Sequence, residues 1–118
     1  MRQDKLTKTA VSALEDIKAR DILVLDVRKL TSIADTLVIA SADSARQVKA
    51  LANHVRDKLK EAGAGIVGVE GEEGGEWVLV DAGDIVVHVM QPAVRTYYNL
   101  EELWTARPAR RAKAATAA

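Results

Sequence analysis

Two dense apolar runs, Trp77 to Val80 and Ile85 to Met90, flank the spacer Asp81-Ala-Gly-Asp84, and nothing else in the chain constrains its fold as much. A spacer containing Gly and Asp can supply the positive φ of a tight reversal, so the pair predicts a β-hairpin. Alternation along the first strand puts Trp77, Leu79 and Asp81 on one face and Val78 and Val80 on the other. In the second strand His88 shares a face with Val86 and Met90. If helices cover one face of the sheet, the other offers an apolar patch with polar spots. Both Trp and both Tyr residues of the chain lie between Glu70 and Trp104. Aromatic side chains are common anchors of protein interfaces, so this stretch points to recognition. Trp77 reads equally well as a cap on the core, since Trp is common in both settings.

The rest of the chain supplies partners for that hairpin. From Asp4 to Ala19, Leu6, Ala10, Ala13, Leu14 and Ile17 recur at helical spacing, with Lys5, Lys8, Glu15 and Lys18 elsewhere on the wheel. Ile22 to Val27 and Thr36 to Ser41 read as buried strands. The connection between them is too short for a crossover helix, which predicts antiparallel neighbours. Ser44 with Gln47 matches a capping box, and Val48, Leu51, Ala52, Val55 and Leu59 then form one stripe that Gly63 ends. Ile66 to Val69 resumes extended structure, so strand, helix and strand from Thr36 to Val69 form a βαβ unit, expected to be right-handed. Pro92 suits a helix start, and Asn99 with Glu102 gives a further cap before Leu100, Leu103 and Trp104. The order α-β-β-α-β-β-β-α predicts an α/β (α+β) domain with a mixed five-stranded sheet flanked by helices. Its expected extent is residues 1–105, followed by a disordered Ala/Arg-rich tail at 106–118.

At 118 residues the chain is one domain by size. It has no Cys, which removes disulfides, thiol nucleophiles and thiolate metal sites and fits a reducing cytoplasm. No secretory h-region follows the N-terminus, and no apolar run approaches the ~20 residues of a membrane span, so a cytoplasmic protein is expected. Charge is balanced at 17 basic and 17 acidic groups, yet Arg107, Arg110, Arg111 and Lys113 all follow Trp104, leaving the body at 13 against 17, a net of −4. Such a body repels phosphate. It predicts no direct nucleic-acid specificity and makes a basic protein surface the better partner.

Catalytic chemistry finds little support. The glycines between 63 and 75 lie among Glu70, Glu72, Glu73 and Glu76 and precede strands, whereas a phosphate loop needs G-x-x-x-x-G-K-[ST] opening a helix. Asp26, Asp35, Asp81 and Asp84 lack the i, i+2 spacing that sets two carboxylates on one strand face around a divalent cation. Asp81 and Asp84 read instead as turn and cap groups. His88 sits among Val and Ile, where a lone His is ordinarily a hydrogen-bonded sheet residue, and His54 belongs to a distant helix. No metal and no cofactor is expected. Arg95, Tyr97 and Tyr98 lie on a short helical segment with Met90 and Pro92 at its entrance. Arg and Tyr can reach a partner's carbonyls and carboxylates, and Met adapts to its shape.

The string E-G-x-x-x-x-E-W-V-L-V-D-x-G-D-I-V-V-H-V-M, followed by R-x-Y-Y-x-L-E-x-L-W, resembles the ribosomal silencing factor family (RsfS, Iojap-like). The likeness runs from Leu6 to Trp104 and includes D-I-L-V-L-D-V, D-T-L-V-I-A-S and S-x-R-Q-V-x-A-L-A-x-x-V. It implies a nucleotidyltransferase-like fold. Catalytic members of that fold use a Gly-Ser turn and a D-x-D pair, and this sequence has neither. The resemblance therefore implies a non-enzymatic translation repressor. Such a protein binds the large (50S) ribosomal subunit through large-subunit ribosomal protein fourteen and blocks association with the small subunit, notably under nutrient limitation. It also allows a homodimer off the ribosome. The partner-binding residues expected are Trp77, Asp81, His88, Met90, Pro92, Arg95, Tyr97 and Tyr98. Competing readings are a large-subunit assembly factor and a nucleotidyltransferase-fold enzyme.

Overall fold

A computed structural model describes residues 2–29 and 34–98, with side chains over 5–29 and 34–95. Three helices and five strands follow in the expected order: α1 Arg2–Asp16, β1 Arg20–Asp26, β2 Thr36–Ser41, α2 Ala45–Glu61, β3 Gly68–Glu70, β4 Trp77–Asp81, β5 Ile85–Met90 and α3 Pro92–Tyr98. The five strands form one sheet in the order β1-β2-β5-β4-β3. The mixed α+β architecture predicted for the chain is the one observed.

Pairing is antiparallel between β1 and β2, between β4 and β5, and between β3 and β4, and parallel between β2 and β5. The first hairpin is therefore as expected, and so is the second. The βαβ unit is present, with its two strands apart in the sheet. The pairing makes β2 and β3 run in the same direction, but β5 and β4 lie between them, because the second hairpin folds back and inserts β5 beside β2.

Two helices cover one face. Leu6, Ala10, Ala13 and Leu14 of α1, with Val48, Leu51, Ala52, Val55 and Leu59 of α2, pack on Val38, Ala40, Val78, Val80, Ile85, Val87 and Val89. Their i, i+3, i+4 spacing is what buries the stripe. Helix α1 ends at Asp16 rather than Ala19, since Lys18 takes φ 60° and Ile17 leaves the helix to pack at the rim of the core. Helix α2 starts on Ser44, whose Oγ accepts from Gln47 N at 3.1 Å. The Gln47 amide closes the box one residue early, its oxygen accepting from Asp43 N at 3.0 Å while its nitrogen donates to Ile17 O at 3.1 Å. One side chain thus ties the end of α1 to the start of α2. Past α2, Gly63 takes φ +95° as the helix-ending glycine.

The opposite face carries a second, smaller cluster of Val27, Ala34, Leu37, Ile39, Val86 and Met90, with Leu25, Trp77, Leu79 and Val94 packed against it. The cap on Asn99, the aliphatic positions Leu100 and Leu103, Trp104 and the tail at 106–118 lie outside the described residues. Among the described residues no helix is long and apolar enough to cross a membrane.

Candidate functional site

Register decides what the second face presents. Trp77 stands opposite Met90, Leu79 opposite His88 and Asp81 opposite Val86, while Leu37, Ile39 and Ser41 of β2 flank β5 from the other side. Side chains paired in this way share a face. The alternation read from the hairpin is therefore realised, with Val78, Val80, Val87 and Val89 turned to the helices.

On this face Trp77 Nε1 donates to His88 Nδ1 at 2.8 Å, with the ring centroids 5.7 Å apart and the planes tilted by 46°. An indole nitrogen can only donate, so Nδ1 must be the unprotonated nitrogen and His88 is the Nε2–H tautomer. Burial pushes the His88 imidazole down from its ordinary 6.5 to about 4. Both rings are partly exposed.

A pH dependence follows. Well above pH 6.5 the imidazole is neutral in the folded and the unfolded chain alike, and it adds no slope. As pH falls from 6.5 toward 4, the unfolded chain takes up a proton that the folded chain refuses, so stability is lost across that window. Allowing for partial exposure, the loss attributable to His88 should reach about 2 kcal/mol. Urea denaturation of wild type and His88→Gln at several pH values isolates it, because the variant should lack that part of the slope.

The structure redistributes the other expected site residues. Met90 is fully buried, at 0 % exposure, as part of the second cluster, so its side chain is core and does not face a partner. Asp81 is a turn group. Its Oδ1 accepts from Gly83 N at 2.9 Å while Ala82 N donates to Ile85 O at 2.9 Å, which fixes the reversal. Arg95 points inward along the sheet, its Nη1 donating to Asp21 O at 2.7 Å and to Ser41 Oγ at 2.8 Å. Asp21, at φ 50°, lies in a register irregularity of β1 that leaves its carbonyl for Arg95. Arg95 is therefore a tether holding α3 to the sheet. Arg95→Ala should cost about 1–2 kcal/mol of stability, read by chemical denaturation, since a carbonyl and a buried hydroxyl lose their donor. Pro92 is exposed at the first position of α3. Tyr97 and Tyr98 belong to α3, and their side chains lie outside the described ones.

Sequence reasoning passed over two contributors. Gly71 and Gly75 read as turn glycines, but at Gly71 (φ +91°) an added Cβ would stand 2.1 Å from Trp77 O, and at Gly75 (φ +71°) 2.6 Å from Ala45 Cβ. Gln91 N donates to Glu76 O at 2.9 Å and Gln91 Nε2 to Gly75 O at 3.1 Å. The glycine-rich loop is thus pressed onto the backbone that carries Trp77. Positive φ is hinted at by the residue type, whereas close approach leaves no mark in sequence.

The four aspartates considered for metal do not converge. Asp26 is held by Arg28, whose side-chain and backbone hydrogen bonds keep its carboxyl below the usual range. Among the described residues no three His, Asp or Glu side chains are placed to hold a metal ion. A cleft of about 620 Å³ lies on the helical side, lined by Lys5, Lys8, Ser12, Asp16 and Lys58, across the sheet from Trp77 and His88.

Known proteins are similar to this chain in sequence and fold. The family model described as "Ribosomal silencing factor during starvation" matches residues 1–118. The ribosomal silencing factor RsfS of Chromobacterium violaceum is 62% identical over 104 residues, covering 88% of this chain and 85% of that one. That of Bacillus subtilis is 42% identical over 108 residues and covers 92% of both chains. A mouse protein named for mitochondrial assembly of the ribosomal large subunit is 37% identical over 100 residues, covering 82% of this chain and 44% of its own length. A crystal structure of a Chromobacterium violaceum protein, 62% identical, superposes with a TM-score of 0.85 over 88% of this chain and 87% of that one. With the family model spanning the chain and relatives matched over most of their length, the chain belongs to the ribosomal silencing factor family.

Proposed function

We propose that this protein represses translation by binding the large ribosomal subunit through large-subunit ribosomal protein fourteen and so sterically preventing the small subunit from joining. It acts in the cytoplasm, under nutrient limitation, by occupancy and not by catalysis. The observation that carries this reading is the hydrogen-bonded Trp77–His88 pair, partly exposed beside Leu79 and the second apolar cluster on the sheet face opposite α1 and α2. An aromatic anchor beside an apolar cluster is a usual feature of a protein interface. The acidic body suits a partner in a basic ribosomal environment.

Co-sedimentation with separated ribosomal subunits tests the reading. The protein should pellet with the large subunit and not with the small one, and pelleting with neither would refute it. Titration calorimetry with ATP, CTP and Mg²⁺ is expected to be flat, whereas a stoichiometric micromolar signal would restore the enzyme reading.

A second reading, assembly of the large subunit, draws support from the name of the mouse relative. Polysome profiles separate the two. Silencing predicts free subunits accumulating under starvation, and assembly predicts a large-subunit defect in growing cells.

A further inference from the structure

We infer that His88 Nε2–H is the polar donor of the partner-binding face, preset by Trp77 to meet an uncharged acceptor, a main-chain carbonyl of the partner protein. This rests on the proposed function for the existence of a partner, and on geometry for everything else.

The Trp77–His88 bond has a fixed direction. The indole N–H is spent on Nδ1, so Trp77 contributes its ring to the surface and no free donor. The same bond forces the proton of the neutral imidazole onto Nε2. Among the described residues His88 has no other hydrogen bond, and no buried polar side-chain atom lacks a partner, so Nε2–H must reach solvent. Of the other polar groups on this face, Asp81 is engaged by Gly83 N and Ser41 by Arg95, and Glu70, paired with Leu79, carries a carboxylate that can only accept. Nε2–H is the donor that remains to specify orientation.

The acceptor's charge follows from the same pair. His88 lies between Leu79 on β4 and Ile39 on β2, an apolar setting that disfavours a cation. A carboxylate at Nε2 would draw a second proton onto the ring. Nδ1–H would then face Trp77 Nε1–H, donor against donor, and the indole would lose its partner. A carbonyl takes the Nε2–H bond without changing the ring's charge, so the indole stays in place.

Two substitutions separate the nitrogens. The amide of His88→Asn lies near the place of Nδ1 and can still accept from Trp77, but it does not reach the place of Nε2. His88→Gln does reach it and restores a neutral donor. Binding to isolated large subunits should therefore weaken about ten-fold or more in His88→Asn and stay within about three-fold of wild type in His88→Gln. The Trp77 indole N–H resonance should keep its hydrogen-bonded position in His88→Asn. Equal binding by wild type and His88→Asn would overturn the inference. Imidazole ¹⁵N shifts of the wild-type protein give a check independent of any variant's stability. Nε2 should be protonated and Nδ1 bare, both free and bound to isolated ribosomal protein fourteen, and an Nδ1–H tautomer or a cationic ring in the complex would also overturn it. Wild type that fails to bind the large subunit defeats the proposed function itself. Binding that Trp77→Ala weakens and His88→Asn leaves unchanged defeats only the present inference.

Discussion

Trp77→Ala should weaken binding to the large subunit by about 30-fold or more, close to 2 kcal/mol, while the chain stays folded. The indole packs on the second cluster from its rim and is partly exposed, so its removal opens no sealed cavity. The stability cost should be about 2 kcal/mol, below the ~3–5 kcal/mol of truncating a fully buried Trp. His88 Nδ1 then loses its donor and turns to water. Denaturation and large-subunit binding measured on one sample keep the two effects apart. If apolar anchoring dominates, the affinity should depend weakly on salt, whereas a steep dependence would give the leading part to the acidic body. A stable variant that binds as wild type does would take Trp77 out of the site and shift attention to α3.

Gly71→Ala should be the most damaging single change in the glycine-rich loop, at about 3 kcal/mol or more. Two costs combine. A Cβ at φ +91° is strained whatever surrounds it, and here it would overlap Trp77 O at 2.1 Å. That oxygen belongs to the backbone of β4, so relief must move the strand that carries Trp77. Gly83 provides the control. It has φ +83° but nothing within 4 Å of an added Cβ, and Gly83→Ala should cost only ~1–2 kcal/mol. Similar midpoints for the two variants in chemical denaturation would mean that the close approach to Trp77 has no energetic weight. The Gly71 change should also weaken large-subunit binding, because it displaces the indole.

What the sequence disclosed and what it hid divide along physical lines. The hairpin was legible because alternation with period two and a Gly-Asp spacer are local signals, and so were the α2 stripe and its Ser44 cap. Faces followed from register. The strand order did not, because nothing local states that β5 inserts beside β2 and holds β2 and β3 apart. Burial of Met90 was hidden for a related reason. Alternation assigns it to the second face, but Val27 and Ala34, distant in sequence, complete the same cluster there. Arg95 was read as a partner contact since a basic group beside aromatics commonly is one, yet its acceptors are Asp21 and Ser41, far back along the chain. The Trp77–His88 bond could have been anticipated in part. Alternation sorts each residue within its own strand, but that the two faces coincide and the residues stand diagonally needs the register itself.

The account turns on whether the Trp77–His88 face excludes the small subunit from the large one, and a subunit-joining assay reads this directly. Purified large subunits are incubated with the protein, small subunits are added, and light scattering follows formation of the joined ribosome. Wild-type protein should suppress joining in proportion to its occupancy of the large subunit, and Trp77→Ala at the same concentration should release most of that suppression. Joining that proceeds unhindered with the large subunit saturated by wild-type protein would contradict the account.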